Sequence, residues 1–407
     1  MSGGARLSES QLLDWLRLIR SESVGPKTFK ALINRFGGAA AAVDALPELA
    51  KQRGRPMRVA TRAECERELA ELDALGGRMV AAGDDHYPKA LRAIDAPPPL
   101  IAVMGDIVSL SRPVVSIVGS RNASAAGLAF CERLARDLGA AGFVVASGLA
   151  RGIDAKAHRS TLGTGTLAVL AGGLDRIYPT EHIPLSRDIL ARGALISEMP
   201  MGYEPRGRDF PRRNRLVSGL ALGVVVIEAA RKSGSLITAR FASEQGREVF
   251  AVPGSPLDPR AEGANGLLRE GATLCTRAAD VIDALAPLIE SGPRPMRLAE
   301  DAPAEATEPL WDELEPDYAN ETPRTESGHE MDEPASPPGL SPRESRRGAE
   351  AGKIAMARLL GPTPMSPDDL ARAADMPIAE ARAILLDMEL DGRLERHVGG
   401  LVSLAPE

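Results

Sequence analysis

Aromatic side chains are scarce in this chain, 3% of its 407 residues. A nucleic-acid binder that works by base stacking uses more of them, so any such role here has to rest on phosphate contact. Cysteine is as sparse: Cys65, Cys131 and Cys275 lie far apart, which indicates neither a disulfide framework nor a zinc site and fits a reducing compartment. No uncharged run is long enough to cross a bilayer, and the opening MSGGARLSES has no apolar stretch of the secretory kind, so a cytoplasmic location is expected. No G-x-x-x-x-G-K-[ST] loop occurs, which leaves ATP hydrolysis without support. The stretch GSRNASAAG lacks the paired glycines of a dinucleotide fingerprint, so NAD is not expected. Neither a cofactor nor a metal is anticipated.

The net charge of −7 argues against nucleic acid only until its distribution is considered. Residues 301–350 carry 14 Asp/Glu and 4 Arg, a net of −10, which leaves +3 on the rest of the chain. The same stretch holds 8 Pro and no hydrophobic period, so residues 293–350 are expected to be an acidic, disordered linker. Within it, the patch LWDEL at 310–314 is either a partner-docking motif or a stray aromatic.

Four segments follow from the patterning. Residues 1–82 are expected to be a helical, SAM or helix-hairpin-helix-like domain, with 8–80 reading as helices only. SESQLLDWLRLIR has helical apolar spacing with Ser8 or Ser10 as N-cap, and a Val24-Gly25-Pro26-Lys27-Thr28 turn opens FKALINRFG. Residues 83–292 are expected to form the next domain, in which 98–290 alternate apolar β-branched runs (114–119, 143–147, 167–171, 224–228, 249–252) with helical stretches such as 127–141 and 236–245. That pattern predicts an α/β fold, an extended Rossmann-like, doubly wound and mainly parallel sheet covered on both faces. Its ligands belong beyond the C-terminal ends of the strands. After the linker, residues 351–407 read as helix, helix, longer helix and hairpin, a winged-helix domain. The third helix is acidic and poor in Lys/Arg, so it suits protein contact better than duplex reading.

The strand-end loops carry the chemistry. Gly119-Ser120-Arg121 follows the first run and Ser147-Gly148-Leu149-Ala150-Arg151 the second. Ser233-Gly234-Ser235 opens a helix after VVVIE. Glycine permits close backbone approach, and a helix start presents unpaired N–H groups to an anion. Phe210-Pro211-Arg212-Arg213-Asn214-Arg215 adds three arginines at another helix start, with Arg212 and Arg215 on one face and Arg213 turned aside. Guanidinium forks match phosphate oxygens and keep their charge. Groups suited to acid–base catalysis are few: His158, His182 and Glu228, none with an evident nucleophile or metal partner.

The series VGSR (118–121), SGLARGIDAKAH (147–158), GGLDRIYP (172–179), ISEMPMG (196–202), FPRRNRLVSGLA (210–221), VVVIEAARKSGSLITA (224–239), REVFAVPG (247–254) and GANGLLREGA (263–272) resembles the DprA/Smf family of DNA-processing proteins, in order across the central segment. The resemblance implies non-catalytic binding of single-stranded DNA as a homodimer, loading of the RecA recombinase, and a part in natural transformation. It places DNA contacts on Gly119, Ser120, Arg121, Ser147, Gly148, Arg151, Arg212, Arg215, Ser233, Gly234 and Ser235. A dimer surface is expected around 267–288, where the apolar residues serve equally as core. The alternative is a nucleotide-hydrolysing enzyme of the LOG-like Rossmann type, whose P-G-G-x-G-T-x-x-E loop carries a glutamate that 229–236 lacks.

Overall fold

The five apolar runs form strands in the computed structural model, 114–119 with the expected bounds and the other four displaced by a residue or two at their ends. The structure describes residues 7–52 and 57–291 and, towards the C-terminus, 352, 354–361, 363–390, 393–397 and 401–404. The acidic stretch 293–350, with its 310–314 patch, lies outside the described residues.

Four helices come first: α1 (Glu9–Arg20), α2 (Pro26–Phe36), α3 (Ala39–Gln52) and α4 (Arg62–Ala74). Ser8 caps α1 in a capping box with Gln11, and Gly37, at φ +77°, ends α2. Leu18, Leu32, Val43 and Leu46 pack in the core shared by α1, α2 and α3. Residues 8–80, expected to be helices only, end instead in a strand. Gly77–Ala81 is β1, an edge strand paired antiparallel with β2 (Leu100–Gly105). At five residues with one exposed arginine, GRMVA is too short and too polar to announce itself as an apolar run.

After α5 (Lys89–Arg92) and β2 come β3 (Val114–Gly119), α6 (Ala125–Ala140), β4 (Val144–Ser147), α7 (Ile153–Thr161), β5 (Thr166–Val169), α8 (Ile183–Ile189) and β6 (Ala194–Ser197). The chain then returns through α9 (Asp209–Leu220), β7 (Gly223–Ile227), α10 (Gly234–Glu244), β8 (Glu248–Ala251), α11 (Glu262–Arg269), β9 (Thr273–Leu274) and α12 (Ala278–Ser291). The sheet order is β1-β2-β6-β5-β4-β3-β7-β8-β9, with β3 to β9 mutually parallel. From β3 the chain winds outward through β4, β5 and β6, then crosses back to place β7 on the other side of β3. The β3/β7 seam is therefore the topological switch point, and the crevice beyond its C-terminal end is where such sheets bind ligands. The central strands are apolar throughout because both faces are covered: Val115, Ile117, Val145, Leu167 and Val225 are fully buried.

The C-terminal segment belongs to a second compact unit. Residues 354–359 are helical, followed by α13 (Pro367–Ala373), capped by Ser366, and α14 (Ile378–Leu390). β10 (Leu394–Arg396) and β11 (Val402–Leu404) close it as an antiparallel pair over Met356, Leu370, Leu385 and Met388. This is the expected winged-helix arrangement. Among the described residues, no helix is long and apolar enough to cross a membrane.

His158 is fully buried under the parallel sheet. The Thr166 hydroxyl donates to the Val145 carbonyl at 2.8 Å, so it accepts from His158 Nδ1 at 2.7 Å and fixes that tautomer. Burial, reinforced by His182 and Arg213, pushes the imidazole down to about 3. The unfolded chain therefore takes up a proton near pH 6.5 that the native protein refuses, and stability drains as pH falls from there towards 3. Urea denaturation between pH 6 and 4 should show wild type losing about 1.4 kcal/mol more per pH unit than His158→Gln. Equal slopes would contradict this.

Candidate nucleic-acid interface

The loop after β4 is fastened from three sides. At the first turn of α7, the buried Asp154 carboxylate accepts from the backbone N–H groups of Gly148 (3.0 Å) and Ala150 (3.3 Å). Burial pushes the Asp154 carboxyl up, while nearby Arg213 and the two amides pull it back. From α9, the buried Arg213 guanidinium donates to the carbonyls of Gly148 and Val169, the latter at 2.6 Å. His182 Nδ1 donates to the carbonyl of Leu149, a non-glycine residue held at φ +58°. Position 148 must be glycine, because a Cβ there would overlap the Arg213 guanidinium. The Ser147 hydroxyl is buried and donates to the Ile117 carbonyl at 2.6 Å, so it binds β4 to β3 and faces no solvent.

The three α9 arginines have three fates. Arg213 is the internal brace just described. Arg212 and Arg215 share a helix face, as their spacing predicts, and share a partner, Glu198, which follows directly on β6. Arg212 Nε donates to Glu198 Oε1 at 3.0 Å, and Arg215 pairs with Oε2. Arg215 also donates to the Ala96 carbonyl at 2.9 Å, and its side chain is only 13% exposed. Arg212 is 42% exposed, so it is the member of the pair that reaches solvent.

Phe210, at the start of α9, collects the remaining strand-end groups. The Arg121 guanidinium lies 5.8 Å from its ring centroid and that of Arg213 6.0 Å, both in the range of cation–π attraction. Tyr178 meets it edge to face at 5.4 Å and is 37% exposed. Arg206 and Arg208, on the connection entering α9, are exposed, and neither forms an ion pair among the described residues. None of Phe210, Tyr178, Arg206 and Arg208 was expected as a site residue. The aromatic next to the arginine cluster was the available signal, and the low overall aromatic content pointed away from it.

Across the switch point, Gly119 lies so close to β7 that a Cβ would overlap the Ile227 carbonyl. The Ser120 carbonyl accepts from Ile153 N at 3.2 Å, which joins this loop to the start of α7. Ser233 caps α10: its hydroxyl accepts from Ser235 N at 3.3 Å and lies 2.7 Å from the Ser235 hydroxyl. Asn214 Nδ2 donates to the Gly234 carbonyl at 3.3 Å, which ties α10 to α9. Ser235 is buried, Ser233 and Gly234 half-buried, and Arg231 and Lys232 exposed. Arg151 makes a two-pronged pair with Glu181, both bonds 2.8 Å, and holds that carboxyl below its usual range. Both side chains are at least half exposed, so the pair is weakly held.

Gly119, Ser120, Arg121, Arg151, Arg212, Ser233 and Gly234 thus lie at one strand-end crevice, whereas Ser147, Gly148, Ser235 and most of Arg215 lie beneath its surface, so Gly148 shapes the loop from inside and is not the exposed contact expected of it. The whole is a doubly wound α/β domain with a cationic, glycine- and serine-lined switch point, a form suited to a phosphate-bearing chain.

Comparison with known proteins gives the family. The chain belongs to the DNA recombination-mediator protein A family, the DprA/Smf family, whose model matches residues 78–286. Models of the DprA-like N-terminal HHH domain and the DprA winged helix domain match residues 9–70 and 333–400. The chain is 41% identical over 231 residues to Protein Smf of Escherichia coli K12, across 55% of this chain and 61% of that protein, which is less than two thirds of its length. It is 40% identical over 222 residues to DNA processing protein DprA of Bacillus subtilis, across 54% of this chain and 75% of that one. The X-ray structure of DNA processing protein A from Streptococcus pneumoniae superposes with a TM-score of 0.58 at 29% identity, covering 69% of this chain and 98% of that one.

Stability should separate the neighbouring arginines. Arg213→Ala strands two buried carbonyls and removes the charge beside Asp154, a loss of about 3 kcal/mol in urea denaturation. Arg212→Ala gives up a part-exposed pair and should cost under about 1 kcal/mol. Comparable losses would refute the assignment of Arg213 as the brace.

Proposed function

We propose that this protein binds single-stranded DNA along its sugar–phosphate backbone in the β3/β7 crevice, breaks no bond in it, and presents it to the RecA recombinase during DNA recombination. The observation that carries this reading is the convergence of Arg121, Arg151 and Arg212 on backbone loops already fixed by buried partners. Phosphates then meet donors that need no ordering on binding, which limits the entropic cost of association. A single strand suits the site better than a duplex, because the part-exposed Tyr178 ring beside Phe210 can stack with a base only when that base is free of its own helix. Sequence preference is weak on this reading, since backbone contacts carry no sequence information.

Two placements support a non-catalytic role. His158 is buried and held neutral against Thr166, and His182 is bonded to the Leu149 carbonyl, so these two histidines have structural duties. Presentation to RecA and action in natural transformation follow the family's character as recombination mediators. Homodimerisation through the 267–288 region fits the far edge of the sheet, where β9 is exposed and Leu274 is 52% accessible.

Binding to a dT oligomer across a salt series tests the reading. Each phosphate neutralised on a single strand contributes about 0.7 to the slope of log K against log salt. Arg121→Ala/Arg212→Ala should flatten that slope by about 1.4 and weaken all sequences alike. An unchanged slope would remove these side chains from the interface, and a failure of the coated strand to seed RecA filaments would remove the recombinase from the proposal.

A further inference from the structure

Glu198 is a buried carboxylate whose side chain is 6% exposed, in a groove built for phosphates. It sits at the middle of an unbroken series of charge-assisted contacts. On one side it holds Arg212 and Arg215 of α9. On the other, its own backbone carbonyl accepts from Arg20 Nη1 at 2.9 Å. Arg20 ends α1, and its remaining donors grip Glu68 of α4 at 2.7 to 3.2 Å. Arg20 and Glu68 are themselves largely buried, at 15% and 10% exposure. The helical N-terminal segment therefore reaches, through one arginine, to the residue that sets the direction of the DNA-facing guanidinium.

We propose that Glu198 is the positioning residue of the arginine grip and that Arg20 makes the N-terminal helices part of it. This rests on the single-strand reading above. A guanidinium has three edges, and Glu198 takes the Nε edge of Arg212. The plane of the fork is then fixed, and its two terminal amino groups remain for a phosphate. Glu198 also gives the buried Arg215 its countercharge, which keeps the helix start from opening towards solvent. The Arg20 contact fixes where Glu198 stands. Two effects of removing the carboxylate charge oppose each other. One is a gain of net positive charge beside the strand, screened within about 10 Å at ordinary salt. The other is the loss of a preset, charge-assisted hydrogen-bond geometry, the stronger effect, because such bonds are short-range and directional.

The test is fluorescence anisotropy of the full chain with a dT oligomer at fixed salt, in the double-mutant square of Glu198→Gln and Arg212→Ala. Glu198→Gln should bind about 5-fold more weakly than wild type despite its extra positive charge, and should change affinity less than about 2-fold once Arg212 is alanine. Arg20→Lys keeps a cation for Glu68 but gives up the fork. It should lose about 2- to 3-fold in the wild-type background and nothing in the Arg212→Ala background. Equal or tighter binding by Glu198→Gln would overturn the inference, since the carboxylate would then be inert or a competitor. The same loss with and without Arg212 would also overturn it, by showing a general structural defect. If Glu198→Gln does not fold, as read by its urea midpoint, Arg20→Lys decides by the same two criteria. A wild type that fails to bind the oligomer sinks the single-strand reading, and this inference with it; a wild type that binds while the variants keep its affinity sinks this inference alone.

Discussion

One buried guanidinium organises the site. Arg213 reaches from α9 to the carbonyls that end β4 and β5, and lies beside the Asp154 carboxylate that holds the same loop by its amides. A carbonyl and an amide of Gly148 are thereby claimed by opposite charges from two different helices. Neither charge could be buried alone without a large desolvation penalty; together, with their backbone partners, they become a fixed corner of the structure. The register of α9 follows from that corner. With Arg213 pointing inward, Arg212 and Phe210 emerge at the crevice and Arg215 turns under towards Ala96.

Three of the cations at the strand ends come with carboxylates already attached. Arg151 pairs with Glu181, Arg212 with Glu198, and Arg231 stands 3.9 Å from Glu262. Exposed pairs of this kind are worth only about 0 to 1 kcal/mol each, so a phosphate can displace the Glu181 or Glu262 partner at small cost. Glu198 differs because it is buried and shared, and it stays in place when the outer face of Arg212 is engaged. Binding is then largely an exchange of partners on a preset surface. Such a protein can be acidic overall and still hold a polyanion, because the groups that matter are local and the excess negative charge lies at 301–350.

The parallel core was legible because strands buried on both faces are written as unbroken apolar runs, and the glycine-serine loops at their ends stood out against them. What escaped was short or one-sided. β6 is only four residues, ALIS, and although ISEMPMG at 196–202 stood out as a motif, nothing in it showed that Glu198 faces α9, so the ion pair that occupies Arg212 and Arg215 was invisible. Spacing correctly put those two arginines on one face, but spacing cannot say whether a face looks outward. Ser147 has the composition of a ligand contact and the burial of a structural strut. Tyr178 and Phe210 were discounted by a chain-wide average, although a site needs only two aromatics in the right place.

The central claim is that the polyanion lies in a trough built at the C-terminal ends of β3, β4 and β7. Hydrogen–deuterium exchange of the full chain with and without a dT oligomer tests it most directly. Slowed exchange should be concentrated at 119–121, 148–152, 206–215 and 232–236, with the 148 and 150 amides already slow in the free protein because Asp154 holds them. Protection confined to residues 352–404 or to the N-terminal helices, with the strand-end loops unaffected, would contradict the account.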